Sequence, residues 1–287
     1  MTTATERLTF GIPDGVLSVL RAGEIDAPVV LFLHGIPTNA LLFREVMPIV
    51  AQAGFQVFAP DMPGYGKTRL RDGADYSLSA VADRYAHWLE AEHLAPLWLI
   101  GHDLGSAVAQ MIAVRHAHLL SHLTLSNSPV GNSFPVFGVR FTQVLAKTGI
   151  LPLLGSWGLL EDRYTTNQLR EGFADPTKLT NDMLHTIFWD DKIREKDAIK
   201  EFAKHLKHLR NAESVVIVPQ LAQISVPILV LSSALDRFQP GESVGQRLLQ
   251  ALPPDTAYDE VPDAGHFAPI EQPVLYAQAL LNWRQIT

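Results

Sequence analysis

Five short runs of almost uninterrupted apolar residues constrain this chain more than any other feature: VVLFLHG (Val29–Gly35), FQVFAPD (Phe55–Asp61), LWLIGHD (Leu97–Asp103), LTLSNS (Leu123–Ser128) and PILVLSS (Pro227–Ser233). A strand with one wet face alternates apolar and polar residues, so an unbroken apolar run belongs to a strand covered on both faces. Stretches of helical period lie between the runs, such as Leu78–His93 and Gly105–Leu120. Strand and helix in alternation predict an α/β fold, a mostly parallel sheet flanked by helices. Near the N-terminus, RLTF from Arg7 and LSVL from Leu17 predict an antiparallel edge. A length of 287 residues, 47% of them hydrophobic, suits one domain of the larger α/β kind with an inserted subdomain.

The alternation breaks between about Val130 and Gln220. Strand signals vanish there, and helical pieces such as DPTKLTNDMLHTIFWDD from Asp175 and DAIKEFAKHLKHLRN from Asp197 take their place. The expected division is a core domain of residues 1–129 and 221–287, with residues 130–220 as a helical cap over the carboxyl edge of the sheet. Such a cap would exclude water from whatever chemistry happens beneath it.

Charge and composition narrow the partners. A net charge of -7 offers phosphate backbones no electrostatic footprint, so nucleic acid is not an expected partner. With no cysteine, neither disulfides nor thiolate metal sites can form. The N-terminal stretch MTTATERLTFGIPDG has no basic start followed by an apolar run, and no segment approaches 18 uninterrupted apolar residues. The expectation is a soluble, cytoplasmic protein without a membrane partner, acting on a small molecule and water. No cofactor or metal is expected. GYGKT (Gly64–Thr68) ends like a phosphate-binding loop, but Asp61 stands where that motif needs its first glycine. Oligomeric state is not legible.

Candidate chemistry collects at strand ends. In GHDLG, Gly101 and Gly105 permit a tight crossing from strand into helix, and Ser106 keeps the next position small. The side chain of Asp103 is thereby thrust out above the sheet. The N–H groups and positive partial charge at the helix start stabilise an anion there. The backbone N–H of Leu104 is the natural first oxyanion donor, and the N–H of Ile36, in the turn HGIPTN, is the second. LSSALDR places Asp236 just past a late strand, and VPDAGHFAP places His266 in a loop after the last strand.

With these pieces in order, the sequence resembles the α/β-hydrolase family, and within it the haloalkane dehalogenase and epoxide hydrolase branch, which uses an aspartate nucleophile. The motifs HGIPTNALLFREVMP, APDMPGYGKT, GHDLG and DAGHF carry the resemblance, which covers nearly all of the chain outside the cap. It implies Asp103 as nucleophile, Asp236 as the acid that orients the histidine, and His266 as general base. Asn127 carries no carboxylate, so the acid position that some relatives use after the strand before the cap is not available.

An aspartate in this place has a chemical meaning. A carboxylate with a reference pKa of about 3.9 is ionised at neutral pH and needs no base in order to attack. On an ester carbonyl it would form a high-energy anhydride; on a saturated carbon with a good leaving group it forms an ordinary alkyl ester, which water activated by histidine then cleaves. The expected reaction is epoxide opening to a vicinal diol, with release of halide from a haloalkane as the alternative. The dehalogenase branch usually has Trp after the nucleophile and Asn or Glu after the His-Gly turn; here they are Leu104 and Ile36. An epoxide leaves an alkoxide that needs a donor, and the candidates are Tyr164, Trp189, His185 and Trp157. A hydrolase-fold ligand receptor without turnover is the reading from another class.

Three further groups have mundane readings. RHAH (Arg115–His118) lies at a helix end, where cationic side chains suit the dipole. KHLKHLR (Lys204–Arg210) reads as a solvated cap face, and His34 and His102 as structural hydrogen-bonding groups.

Overall fold

The computed structural model describes residues 4–156, 163–188 and 196–287. Each apolar run forms a strand: β3 (Val29–Leu33), β4 (Gln56–Pro60), β6 (Leu97–His102), β7 (Leu120–Ser126) and β8 (Ile228–Ser233) are buried almost throughout. With β1 (Glu6–Ile12), β2 (Gly15–Ala22), the two-residue β5 (Arg69–Leu70) and β9 (Ala257–Val261) they make one sheet in the order β1-β2-β4-β3-β6-β7-β8-β9, β5 pairing with β2. From β4 to β9 every neighbour is parallel, whereas β1, β2 and β5 are antiparallel, as the N-terminal pattern predicts.

Helices cover the sheet. α1 (Val46–Gln52) packs against the C-terminal helix Pro273–Gln285, while α2 (Leu78–Ala91) packs on α3 (Leu104–Arg115). α3 presents no amphipathic stripe, since residues Leu104 to Ala113 are all buried, and a helix apolar all round belongs inside a fold. Arg115 and His116 at its end both meet Asp83, so RHAH is a paired surface end.

Between β7 and β8 the described residues are helical: α4 (Phe137–Lys147), α5 (Ile150–Ser156), α6 (Arg163–Glu171), α7 (Asn181–Met183), α8 (Lys196–His208) and α9 (Ala212–Leu221). The DPTKLTNDMLHTIF stretch is less regular than its period predicts. Asp175 caps a 3-10 turn at Pro176–Lys178, Thr180 caps α7, and a π turn follows at Leu184–Phe188. Two side-chain caps five residues apart break the stretch into single turns.

KHLKHLR is also not the solvated face expected of it. His205, Leu206 and Leu209 are buried and Lys207 and Arg210 exposed, because the helical period turns one side of this charged string inward. No helix among the described residues is long and apolar enough to cross a membrane.

Candidate active site

The chain runs from β3 outward to β4 and then returns to the other side of β3 as β6, so the carboxyl ends of β3 and β6 flank the point where the sheet's winding reverses. In open α/β sheets the ligand crevice forms at such a point. The turn after β3 carries Ile36, β6 delivers Asp103, β7 delivers Asn127, β8 delivers Asp236, and the loop after β9 carries His266.

Asp103 sits at φ 51°, ψ -123°, a strained backbone for a non-glycine residue. The crossing behind it admits no side chain: a Cβ on Gly105 would lie 2.1 Å from the Leu33 carbonyl oxygen, and one on Gly101 would lie 2.5 Å from Ser106 Cα. A Cβ on Gly35 would lie 2.4 Å from Asp103 Oδ2. Glycine at these three positions lets the β3 turn, the end of β6 and the start of α3 close around one carboxylate.

The Ile36 N–H donates to Asp103 Oδ2 at 2.9 Å. Oδ1 faces His266 Nε2 at 3.8 Å. On the other edge of the imidazole, Nδ1 lies 2.9 Å from Asp236 Oδ2. Asp103, His266 and Asp236 are thus brought into one line, with Ile36 at its head and Leu104 opening α3 beside it. Asp236 receives three further donors, Asn127 Nδ2 on Oδ2 at 2.7 Å and the N–H groups of Phe238 and Gln239 on Oδ1 at 2.7 and 3.0 Å.

These contacts set the electrostatics. Burial opposes the charged form of His266, but the carboxylates of Asp236 and Asp103 outweigh it and push the imidazole up to about 10. Burial also works against the charge on Asp236, yet His266 and the backbone donors hold its carboxyl below the ordinary carboxylate value. Behind them His102, its Nδ1 3.2 Å from Ser126 Oγ, is pushed down to about 3 by burial and by the neighbouring His266. His34 Nε2 accepts the Met62 N–H at 2.8 Å, so both motif histidines act structurally.

A cavity of about 520 Å³ opens above this line. Asp103, His266 and Ile36 are at its base, and its walls are mostly apolar: Phe134, Leu145, Leu154, Leu169, Phe202, Phe238 and Phe267 take part. The expected leaving-group donors fare differently. His185 lies in the π turn and does not line the cavity, because the turn directs the buried Ile187 and Phe188 toward the core instead. Trp157 and Trp189 lie outside the described residues, as does the side chain of Tyr164, whose backbone falls in α6. Sequence reasoning missed two groups. Gln239 is buried, lines the cavity and binds Ser133 through its side chain. Asn127 supports Asp236, and its one available signal was an amide immediately beyond a buried strand.

A parallel sheet with a strand-turn-helix elbow at its reversal point, facing a late-strand acid and a loop histidine, defines a hydrolase-type fold. The chain belongs to the alpha/beta hydrolase family, whose pattern matches residues 30–279. It is 33% identical over 109 residues to a haloalkane dehalogenase of Mycobacterium marinum, 37% of this chain and 36% of that one. It is 32% identical over 132 residues to epoxide hydrolase A of Mycobacterium tuberculosis, 45% of this chain and 40% of that one. The matched segments therefore span well under half the length of these relatives. In fold it is similar to Cfl2 of Burkholderia cenocepacia, with a TM-score of 0.83 at 21% identity over 98% of this chain and 96% of that one.

Proposed function

We propose that this hydrolase attacks a saturated carbon through Asp103 and passes through a covalent alkyl ester, with epoxide opening to a vicinal diol as its reaction. The observation that carries this reading is the carboxylate at the elbow, held by the Ile36 N–H on one oxygen and facing His266 with the other.

The two oxygens take separate roles. Oδ1 attacks the oxirane carbon and the ring C–O bond breaks, its electron pair going to the departing alkoxide, which takes a proton from a donor in the cavity. Ester formation removes the negative charge from Asp103. One of the two carboxylates that push His266 up is then gone, so its hold on the proton weakens and the neutral imidazole, the form that can take a proton from water, is available when a base is needed. His266 takes a proton from water, the hydroxide adds to Cγ, and the oxyanion forms on Oδ2, where the Ile36 N–H already points. Collapse breaks the ester C–O bond, the departing product oxygen takes the proton held by His266, and the diol leaves with the Asp103 carboxylate restored.

The haloalkane reading stays beside it because both relatives match this chain with similar identity. Against it stand Leu104 and Ile36, whose side chains offer a departing halide no donor.

The test is intact-protein mass spectrometry of His266→Gln after exposure to epoxides and haloalkanes. A gain equal to a whole epoxide, mapped to Asp103, is expected. A gain equal to a haloalkane less hydrogen halide would assign dehalogenation. Tight binding with no adduct and no turnover by the unaltered protein would make it a receptor.

A further inference from the structure

We infer that the outer face of α4 and α5 docks on an anionic lipid surface, placing the mouth of the apolar cavity against the phase in which apolar substrates dissolve. Phe141 and Val144 on α4 and Ile150 and Leu153 on α5 are 52, 57, 46 and 51% exposed. The two helices pack on each other across the turn at Thr148 and Gly149. Each pair is spaced i, i+3, so each lies on one helical face, and exposed apolar side chains grouped in this way mark an interaction surface.

Charge selects the partner. The whole stretch from Leu104 to Leu160 holds no Asp or Glu, in a chain whose net charge is -7. Arg140 and Lys147 flank the apolar side chains and are exposed. The Arg140 Nε–H donates to the Pro135 carbonyl oxygen, and neither cation pairs with a carboxylate of a described residue. An amphipathic helix with aromatic and aliphatic residues beside cations suits a lipid interface with anionic headgroups. A second copy presenting the same face would bring these cations against each other.

The face is also continuous with the site. Phe141 is exposed and lines the cavity, and Gly138, Val139, Thr142 and Leu145 of the same helix line it from within. α4 is therefore one of the walls between cavity and surroundings. The expectation of no membrane partner rested on the lack of a spanning segment, which does not bear on surface docking.

The test is flotation of the full chain with vesicles of phosphatidylcholine alone and of phosphatidylcholine with phosphatidylglycerol, at low and high salt. The variants are Lys147→Glu and the pair Val144→Ser, Leu153→Ser; none of these positions lines the cavity. Circular dichroism melts check that the variants fold. Binding is expected on the anionic vesicles, weakened by salt, with a loss of about fivefold for each unit of charge changed at Lys147 and a further loss for the serine pair. No flotation on anionic vesicles, or flotation that these substitutions leave unchanged, overturns the proposal. A concentration-dependent doubling of mass that they abolish overturns it in favour of a second copy. Flotation is read without turnover, so failure here is separate from failure of the proposed chemistry.

Discussion

Asp236 shows how much of a site can rest on one buried carboxylate. Its two oxygens accept four hydrogen bonds, from His266, Asn127, Phe238 and Gln239. Asn127 shares Oδ2 with His266 and is itself held by the Ser233 hydroxyl, which donates to Asn127 Oδ1 at 3.0 Å. A hydrogen bond to a charged group is worth about 1.5 to 3 kcal/mol. Asn127 sits at φ 42°, so Asn127→Gly removes the amide without straining the backbone. In this positioning role its loss is expected to lower kcat about tenfold or more while KM holds, since Asp103 and His266 line the cavity and Asn127 does not. Steady-state kinetics on whichever electrophile traps the adduct would check it; an unchanged kcat would leave Asn127 a purely structural amide. No local pattern reveals this contact, because Asn127 and Asp236 meet through the pairing of β7 with β8 across the entire helical insertion.

At the scale of elements, strand ends were legible and the turns of the helical insertion between β7 and β8 were not. The buried strands are apolar on both faces whatever their neighbours do, so composition alone marks them. GHDLG marks its elbow because a Cβ on Gly105 would come within 2.1 Å of the Leu33 carbonyl oxygen, a backbone atom that cannot swing away. Gly105→Ala is therefore expected to push α3 off β3 and to cost about 1 to 3 kcal/mol, as other overpacked positions do. A denaturant titration should show a lower midpoint, together with loss of activity because Asp103 caps the displaced helix. A midpoint equal to the unaltered protein's would contradict this account of the crossing. The helical insertion between β7 and β8 differs in kind: which face each of its helices buries depends on elements distant in sequence. Glu271, from the C-terminal region, accepts the N–H groups of Ala174 and Asp175, and Glu213 on α9 accepts the Leu78 N–H and the Ser79 hydroxyl at the start of α2.

For the whole molecule, the seam between insertion and core is where acid should act. His205 of α8 packs its ring edge-on to Tyr65 and Tyr76, with centroids 5.0 and 6.4 Å away, and its Cβ lies 2.5 Å from where a Cβ on Gly64 would stand. The charged groups around it are Glu201, bonded to the Tyr76 hydroxyl, Lys204, paired with Asp72 and Glu201, and His208 beside Asp75; His34 also meets Tyr65 edge-on. Burial pushes His205 down to about 3, as it does His102. The unfolded chain takes a proton on each near 6.5 and the folded protein does not until about 3, so stability falls as pH drops through that window. The slope is about 1.4 kcal/mol per pH unit for each histidine. His266 has the opposite sign: raised to about 10, its stabilisation is complete below 6.5 and is lost as pH climbs through 10. Urea unfolding should therefore be most resistant near neutrality. His205→Phe keeps a ring against Tyr65 and Tyr76 without a titrating group, and should flatten the acid limb by the share of one histidine. An acid limb as steep as before would mean that His205 carries its proton in the folded protein, and that the seam does not loosen by this route.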